Sequence, residues 1–525
     1  MARRRQAYRA GSRRMSRKNP MSNMRKLAGR SVVERVRWMR TRNLAAAGFM
    51  VLLAAGLMSS CAVGPDYQRP EFKIPAGYKE KAQDGWKPGQ PQDTTNRGAW
   101  WVIYKDPVLD GLEQQVDISN QNLKAAEAAY RQSRTVVQAA RASFFPVISL
   151  DAAASRAHSG GSGGVRVQNQ YGLSAGASWE PDLWGRIRRT VESDVAGAQA
   201  SAADLASARL SAQAQLATDY FELRVADELK RLLDGTVTAY TRSLAITQNQ
   251  YAAGIVAKTD VITAETQLKS AQAQVINTGV QRAQLEHAIA VLTGKLPAEF
   301  SLEPATLSDS VPDIPPGVPS TLLERRPDIA SAERQVAAAN AQIGVAISAY
   351  FPDLTLSGSY GYQSSAISEL LKAPSLVWSV GPQLAATLFD AGLRSAQVAG
   401  ARAAYDQRVA VYRQTVLSGF QQVEDALAAQ RLLAQQAAVQ RSAVELAQQA
   451  EQLTLNQYKA GTVAYSSVVQ AQVISLGNQQ SALAIRQAQL AASVDLITAL
   501  GGGWDVSQQP DTGVAGEAAP TAAKR

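Results

Sequence analysis

Residues 251–264 read YAAGIVAKTDVITA, and residues 458–471, which lie 207 positions later, read YKAGTVAYSSVVQA. Seven of the fourteen paired residues are identical, and the same offset relates Gly294 to Gly501. Self-similarity at a fixed offset indicates a repeated structural unit, so the sequence predicts two copies of a unit of about 200 residues.

The repeat divides the chain into successive segments with different compositions. The predicted segments are a leader at 1–60, an N-terminal segment at 61–106, a first repeat at 107–300, an inter-repeat segment at 301–326, a second repeat at 327–503 and a disordered tail at 504–525. Each repeat is predicted to hold two strands and one long helical hairpin, with a further helix before the strands of the first.

Basic residues are concentrated in the leader. Residues 1–60 contain 15 of the 54 Lys and Arg residues and a single acidic residue, Glu34, of the 44 in the chain. The formal charge of +10 therefore becomes about −4 over the remaining residues. A nucleic-acid partner, which the total charge would favour, is not predicted.

The leader has the parts of a secretory signal. Arg40 and Arg42 precede an apolar run at residues 44–58, which is shorter than the roughly 20 residues of a spanning helix. Met39 begins a signal of ordinary length, which suggests that residues 1–38 come from an over-extended gene start.

Cys61 is the only cysteine of the chain, so no internal disulfide can form. It follows Ser59 and Ser60 as the cysteine of a bacterial lipobox does, and this arrangement predicts that its thiol is lipidated. The alternative is a chance cysteine beside a signal cleavage site. Ala62 stands where an aspartate would favour the inner membrane, so we expect an outer-membrane address.

Two long proline-free windows, Pro181–Pro297 and Pro382–Pro510, predict helices. Each window is interrupted at its Tyr-x-x-Gly turn, where Gly254 or Gly461 can adopt the left-handed conformation that ends a helix. These helices are rich in Ala and Gln, so we expect water-facing coiled rods and not bilayer spans. In the first repeat the predicted helices are residues 186–253, about 100 Å long, and residues 260–292, about 50 Å long.

Four stretches alternate between apolar and small polar residues, as strands with one apolar face do. They are residues 147–156, 171–179, 354–363 and 378–388, with connections at 158–164 and 363–375. Each is long enough to cross a membrane as a tilted strand, although Pro382 donates no ladder hydrogen bond. A soluble, half-buried sheet would show the same alternation. Because spanning barrels start at about eight strands, a membrane barrel would need several chains.

The sequence resembles the outer-membrane factors of tripartite efflux pumps and type I secretion systems, the TolC-like and OprM-like lipoproteins of the NodT group. The resemblance covers residues 61–503 in order. The matching motifs are Cys61-Ala-Val-Gly-Pro-Asp-Tyr67, Trp100-Trp101, Asp106-Pro107, Phe145-Pro146, Asp182-Leu183-Trp184-Gly185-Arg186, Leu323-Glu-Arg-Arg-Pro-Asp-Ile329, Ala332-Glu333, Ala338-Ala-Asn340, Phe351-Pro352, Leu388-Phe389-Asp390-x-Gly392 and both Tyr-x-x-Gly turns.

The resemblance implies an α+β membrane protein that forms a homotrimer. Four strands per chain would build a 12-stranded outer-membrane β-barrel, and the helices would continue it as a periplasmic tube. The implied function is a passive exit duct that conducts drugs or other small molecules. The implied partners are an inner-membrane transporter, a periplasmic adaptor and outer-membrane lipid, and no cofactor is implied.

The resemblance also assigns roles at the hairpin tips. The tip residues implied to contact the adaptor are Gly254, Ile255, Val256, Lys258, Gly461, Thr462, Val463 and Tyr465. The family places gate carboxylates six and nine residues after each tip glycine, which here are Asp260 and Thr263, then Ser467 and Gln470. As an alternative, Asp260 suits a helix N-cap, and Ser467 with Gln470 reads as a capping box.

An enzyme is not predicted. The two histidines, His158 and His287, lie in different contexts, and no phosphate-binding GxxxxGK[ST] run occurs. The motif Arg325-Arg326-Pro327-Asp328 reads as helix initiation, because Pro and an acidic residue suit a first turn. The remaining alternative is a periplasmic lipoprotein adaptor or a structural coiled-coil protein, which would lack four membrane-compatible strands.

Overall fold

The structure is a computed structural model that describes residues 62–72, 77–80, 99–161, 164–307, 311–312, 314 and 325–504. The predicted leader with Cys61, much of the inter-repeat segment and the tail from residue 505 lie outside the described residues. The helices are α1 (Pro107–Ser119), α2 (Gln121–Ala142), α3 (Arg186–Ala252), α4 (Lys258–Leu292), α5 (Pro327–Ser348), α6 (Leu393–Lys459) and α7 (Tyr465–Ala499). Short 3-10 helices span Trp100–Tyr104, Pro297–Glu299, Ile367–Glu369 and Ala373–Ser375.

The helices of the two hairpins have the same lengths, and their boundaries follow the 207-residue offset of the sequence repeat. Helices α3 and α6 each contain 67 residues, and helices α4 and α7 each contain 35. All four begin and end at positions related by 207 residues. Their lengths correspond to about 100 Å and about 52 Å, which confirms the predicted long and short arms. No helix within the described ranges is both long enough and apolar enough to cross a membrane.

The helices form a layer in which four run side by side at every level. Near the sheet, α3 packs between α2 and α5, and α5 packs against α6. Towards the tips, α3 packs between α4 and α7, and α7 packs against α6. Helix α6 therefore lies at one edge of the layer along its whole length, and α2 and α4 share the other edge.

The short helix of the first hairpin docks end to end with α2. The side-chain amide of Asn120 caps α2 and donates to the carbonyl oxygen of Leu292 over 2.8 Å. Gly294 has a φ of +69° and lies so close to Ser119 that a side chain would overlap its backbone. A glycine is required here because the chain turns sharply after the end of α4, directly beside the start of α2.

The second hairpin repeats this joint at the end of α7. A guanidinium nitrogen of Arg326 donates to the carbonyl oxygen of Ala499 over 3.1 Å. Gly501 has a φ of +94°, and a side chain there would overlap the carbonyl oxygen of Arg325. Helix α5 starts at Pro327 above this joint, so the predicted helix initiation at this motif is confirmed.

The four strands form one antiparallel sheet in the order β1-β2-β3-β4. The strands are β1 (Val147–Gly161), β2 (Gly164–Trp179), β3 (Asp353–Ser364) and β4 (Leu376–Ala385). Three predicted boundaries are wrong. Strand β2 begins at Gly164 and not at residue 171. His158 lies inside β1, opposite Val167, and not in a hairpin loop. Strand β4 ends at Ala385 and not at residue 388, because Ala385 pairs with Asp353, where β3 begins.

The strand register unites the alternating residues of all four strands into two faces. Ile148 lies opposite Ala177, and Leu354 opposite Leu384, so apolar residues share one face from β1 to β4. Pro382 lies on this face within β4, opposite Leu356. The other face carries mainly glycine and small polar side chains, which confirms the predicted division of each strand.

The largest hydrophobic core lies near the helix joints, at the middle of the helical layer. Its aromatic part combines Trp100, Trp101 and Tyr104 with Tyr220 and Phe221 of α3. Two tyrosine hydroxyls of this core have partners: that of Tyr104 lies 2.6 Å from Ser493 Oγ of α7, and that of Tyr220 donates to a carboxylate oxygen of Asp106 over 2.6 Å. The core joins residues before the first repeat to both hairpins.

Candidate functional site

The two hairpin tips share one backbone conformation. Gly254 and Gly461 both have a φ of +74°, and nothing lies within 4 Å of a Cβ placed on either. The amide of Ile255 donates to the carbonyl of Gln250 over 2.9 Å, and Thr462 makes the equivalent bond over 3.0 Å. Both glycines therefore end a helix in the predicted left-handed conformation.

The first tip is exposed. Tyr251 is 46% exposed and Ile255 is 68% exposed, and Lys258 also faces solvent as the first residue of α4. Val256 is partly buried.

The second tip is packed against the first hairpin. Tyr458 is 3% exposed and Tyr465 is 2% exposed, and their ring centroids lie 5.2 Å apart. Both rings belong to a cluster with Ala264 of α4, and the Tyr458 hydroxyl donates to Thr247 Oγ1 of α3 over 3.4 Å. Desolvation raises the pKa of Tyr465 to about 12, so the cluster is uncharged near neutral pH.

The candidate gate residues lie inside helices and cap neither of them. Helix α4 begins after Ala257, and α7 begins after Ala464, without a side-chain cap on either. Asp260 is the third residue of α4, and Ser467 is the third residue of α7. The predicted N-cap at Asp260 and the capping box formed by Ser467 and Gln470 are therefore wrong.

Asp260 lies near the contact between the two hairpins. Its charge contributes to raising the pKa of both Tyr458 and Tyr465, after the larger effect of desolvation. A carboxylate in the first turn also interacts favourably with the positive end of the α4 dipole. Thr263, one turn further along, donates its hydroxyl hydrogen to the carbonyl of Thr259 over 2.8 Å. Asp260 is thus the one acidic group among the four candidate gate residues.

A buried ion network ties the inter-repeat segment to the first hairpin. Asp227 of α3 accepts from Arg224 over 3.1 Å, from Arg282 of α4 over 2.7 Å and from the amide of Ala305 over 3.2 Å. Arg224 also donates to the carbonyl of Glu303 over 2.8 Å. This network could not be predicted from the sequence, because its hydrogen-bonded partners are up to 79 residues apart and show no local pattern.

The residues that follow the candidate lipidation site lie beside the junction of sheet and helices. The amide of Val63 donates to the carbonyl of Trp184, in the turn between β2 and α3, over 3.0 Å. Asn340 of α5 donates to the carbonyl of Pro65 over 2.9 Å. This packing fixes the described start of the chain at the base of the strands. Cys61 itself lies outside the described residues.

The described part of the chain contains no cluster of side chains that could coordinate a metal ion. Within those ranges, no three His, Cys, Asp or Glu side chains are grouped closely enough to hold an ion.

A protein-family model matches the chain in two segments, which correspond to the two repeats. The sequence profile of the outer membrane efflux protein family matches residues 112–295 and 318–502. SrpC, a solvent efflux pump outer membrane protein of Pseudomonas putida, is 31% identical over 462 residues, which cover 87% of this chain and 98% of that protein.

Solved structures share the fold over most of the chain. The outer-membrane channel OprN superposes with a TM-score of 0.78 at 30% identity and covers 86% of this chain and 100% of its own. The open state of the MtrE outer membrane channel of Neisseria gonorrhoeae gives 0.73 at 27% identity, with coverages of 84% and 98%. The chain therefore belongs to the outer membrane efflux protein family.

Proposed function

We propose that this protein is the outer-membrane exit duct of a tripartite efflux system, in which three copies form one continuous channel. The channel conducts small molecules passively, and the energy comes from an inner-membrane transporter. A periplasmic adaptor contacts the hairpin tips. The exposed apolar face of the sheet is the observation that carries this proposal.

The sheet presents large apolar side chains to its surroundings. Ile148 and Leu150 of β1, and Trp378 and Val380 of β4, are each at least 69% exposed. A continuous exposed apolar face marks a membrane or protein interface, because it is costly in water. The small polar residues of the opposite face suit a water-filled channel.

The edges of the sheet support assembly from several chains. In the described sheet, β1 and β4 each pair on one side only. Lipid offers no hydrogen bonds to an open edge, so the edges must pair with other copies. Three four-stranded sheets would give twelve strands, an even number within the range of outer-membrane barrels.

The edges of the helical layer carry complementary apolar stripes. On α6, Leu432, Val439, Leu446 and Leu453 recur every seven residues and are all more than half exposed. Such a heptad stripe fits against a neighbouring helix in a coiled coil. On α4, at the opposite edge, the exposed apolar residues are Ile262, Ile276, Val280 and Val291. Packing of α6 from one copy against α4 of the next would close the tube.

The lipid anchor and the gate complete the proposal. The packing of Val63 beside Trp184 supports lipidation of Cys61, since it holds the residues that follow the cysteine near the base of the strands. Asp260 would contribute a ring of three carboxylates near the periplasmic mouth. If it narrows the mouth, Asp260→Ala raises single-channel conductance, whereas Thr263→Ala does not. Equal conductance in both variants would leave Asp260 with only its helix-dipole role.

The channel is tested by reconstitution of the purified protein in planar bilayers. We expect trimers that dissociate on heating in detergent and that give discrete conductance steps. A water-soluble monomer without conductance would refute the proposal and would favour an adaptor or a structural coiled-coil protein.

A further inference from the structure

The apolar face of the sheet carries two basic side chains at the outer end of β1, the end away from the helices. We infer that Arg156 and His158 form a binding site for the phosphate group of a lipid in the outer leaflet of the membrane. The site recurs once in each copy of the trimer. This inference rests on the proposed barrel, which turns the apolar face of the sheet toward lipid.

The strand register places both side chains on the apolar face. Arg156 and His158 continue the alternating series of β1 that begins with Ile148, and β1 pairs with β2 without a bulge from Val147 to Gly161. Strands of a neighbouring copy would pair with β1 in the plane of the sheet, so they would cover neither face. Both side chains therefore point out of the barrel in the assembled trimer as well.

Aromatic side chains mark both boundaries of the apolar band on β2, as they do in outer-membrane barrels. Trp179 lies at the base, and Tyr171 lies further out, opposite Ala154. The next pair outward on this face is Arg156 and Asn169. The rise from Trp179 to Asn169 is about 34 Å along the strand, or about 26 Å along the membrane normal at a tilt of about 40°. Because the apolar band of such a barrel is about 25 Å tall, Arg156 lies where the lipid headgroups begin.

Within the described strands, basic side chains occur on the apolar face only at this outer end, and no Asp or Glu lies on that face. The acidic residues of the strands, Asp151 and Asp353, both lie on the polar face. The site therefore offers hydrogen-bond donors to an anion without a competing carboxylate on the same face.

The two side chains suit a phosphate group. Alternate residues of a strand are about 6.8 Å apart, and the guanidinium and imidazole groups both donate hydrogen bonds. A guanidinium can bind two phosphate oxygens at once through charge-assisted bonds. The acyl chains of the same lipid would lie along the apolar band, beside residues such as Leu150. The ligand is therefore a lipid, because a soluble phosphate would use none of this apolar surface.

The neighbouring copy offers one competing partner for Arg156. Residues 365–375, which connect β3 to β4, contain a single acidic residue, Glu369. In the trimer this connection would lie beside β1 of the next copy. Glu369 already accepts a hydrogen bond from Lys372 of its own chain over 2.7 Å. The variant Glu369→Gln removes this carboxylate and leaves the apolar face unchanged.

Native mass spectrometry of trimers in mild detergent counts the bound lipids. The probes are diphosphoryl lipid A and the same lipid after removal of both phosphates. We expect wild type and Glu369→Gln to bind the phosphorylated lipid about tenfold more tightly, and Arg156→Gln to lose most of this preference. His158→Ala should lower the preference by about threefold, since it removes one hydrogen bond.

Two double variants return the arginine at the same height and with the same net charge, but on opposite faces. Arg156→Gln with Asn169→Arg places the guanidinium on the apolar face, directly opposite its original position. Arg156→Gln with Ser155→Arg places it on the polar face. We expect the first double variant to regain the preference for the phosphorylated lipid and the second to lack it.

Equal affinity of wild-type trimers for the two lipids, or equal recovery in both double variants, would overturn the inference while leaving the exit duct in place. A preference that occurs only in Glu369→Gln would overturn it as well, because Arg156 would then pair with the neighbouring copy. No loss in His158→Ala would overturn the assignment of the imidazole to the site. Wild-type protein that forms no trimers and gives no conductance would refute the proposed function and the inference together.

Discussion

Replacing Asp227 with alanine should release the inter-repeat segment from the first hairpin. The carboxylate is 3% exposed and accepts from Arg224, Arg282 and the amide of Ala305, so its loss leaves the buried guanidinium group of Arg224 and the partly buried one of Arg282 without their shared partner. Removing one partner of a buried ion pair costs about 3–5 kcal/mol. The second repeat has no carboxylate at the equivalent position, because the residue 207 positions after Asp227 is Ala434.

Hydrogen exchange followed by mass spectrometry measures this loss at the segment itself. A cost of about 3–5 kcal/mol corresponds to an exchange rate at Ala305 that is roughly 100 to 5,000 times faster in Asp227→Ala. The control is Asp234→Ala in the same helix, which breaks an ion pair with Lys230 that is half exposed on both sides. Such a surface pair contributes about 0–1 kcal/mol, so exchange at residues 300–307 should hardly change. Equal exchange in wild type and Asp227→Ala would refute the reasoning.

Three further predictions concern the sheet, a buried carboxyl group and a helix joint. Val380→Lys, on the apolar face, should cost about 2–4 kcal/mol per chain and reduce folded protein in the outer membrane, whereas Ser379→Lys on the polar face should be tolerated and should alter ion selectivity. Burial raises the pKa of Glu113 from 4.5 to about 9, so the contribution of this carboxyl group to stability is lost as pH rises through this range. The melting temperature of Glu113→Gln minus that of wild type should therefore increase between pH 5 and pH 8. A difference that stays constant over this range would contradict the prediction. Gly501→Ala should lower the melting temperature, because its Cβ would overlap a backbone carbonyl, whereas Gly477→Ala inside α7 should raise it by stabilising the helix by about 0.5–1 kcal/mol.

The long elements could be predicted from the sequence because their signals are local. Proline-free windows and two turn glycines set the helices, and period-two alternation set the faces of the strands. The ends of β4 were not predictable in this way, because Ala385 is the last residue with a partner on β3. Strand ends depend on the neighbouring strand, which lies far away in the sequence.

The details of the site depended on contacts between distant residues. Asp260 and Ser467 are residue types that favour the N-cap position. The tip turns, however, satisfy the backbone by their own hydrogen bonds, and the N-cap positions are Ala257 and Ala464, three residues before Asp260 and Ser467. The burial of Tyr458 and Tyr465 could not be predicted from the repeat, because it depends on contacts with α3 and α4 of the first hairpin, which lie about 200 residues away in the sequence.

Cysteine cross-linking between the sheet edges tests most directly whether three chains close one barrel. Cys61 is the only native cysteine, so each variant can carry one introduced pair of cysteines on the polar face of the sheet. One cysteine replaces Ser149 or Asp151 of β1, and the other replaces Ser379 or Gly381 of β4. Oxidation in intact outer membranes should link β1 of one copy to β4 of the next, and at least one pair should give covalent dimers and trimers but nothing larger. Only uncross-linked chains across all pairs, or a ladder that continues beyond three, would contradict the trimeric barrel.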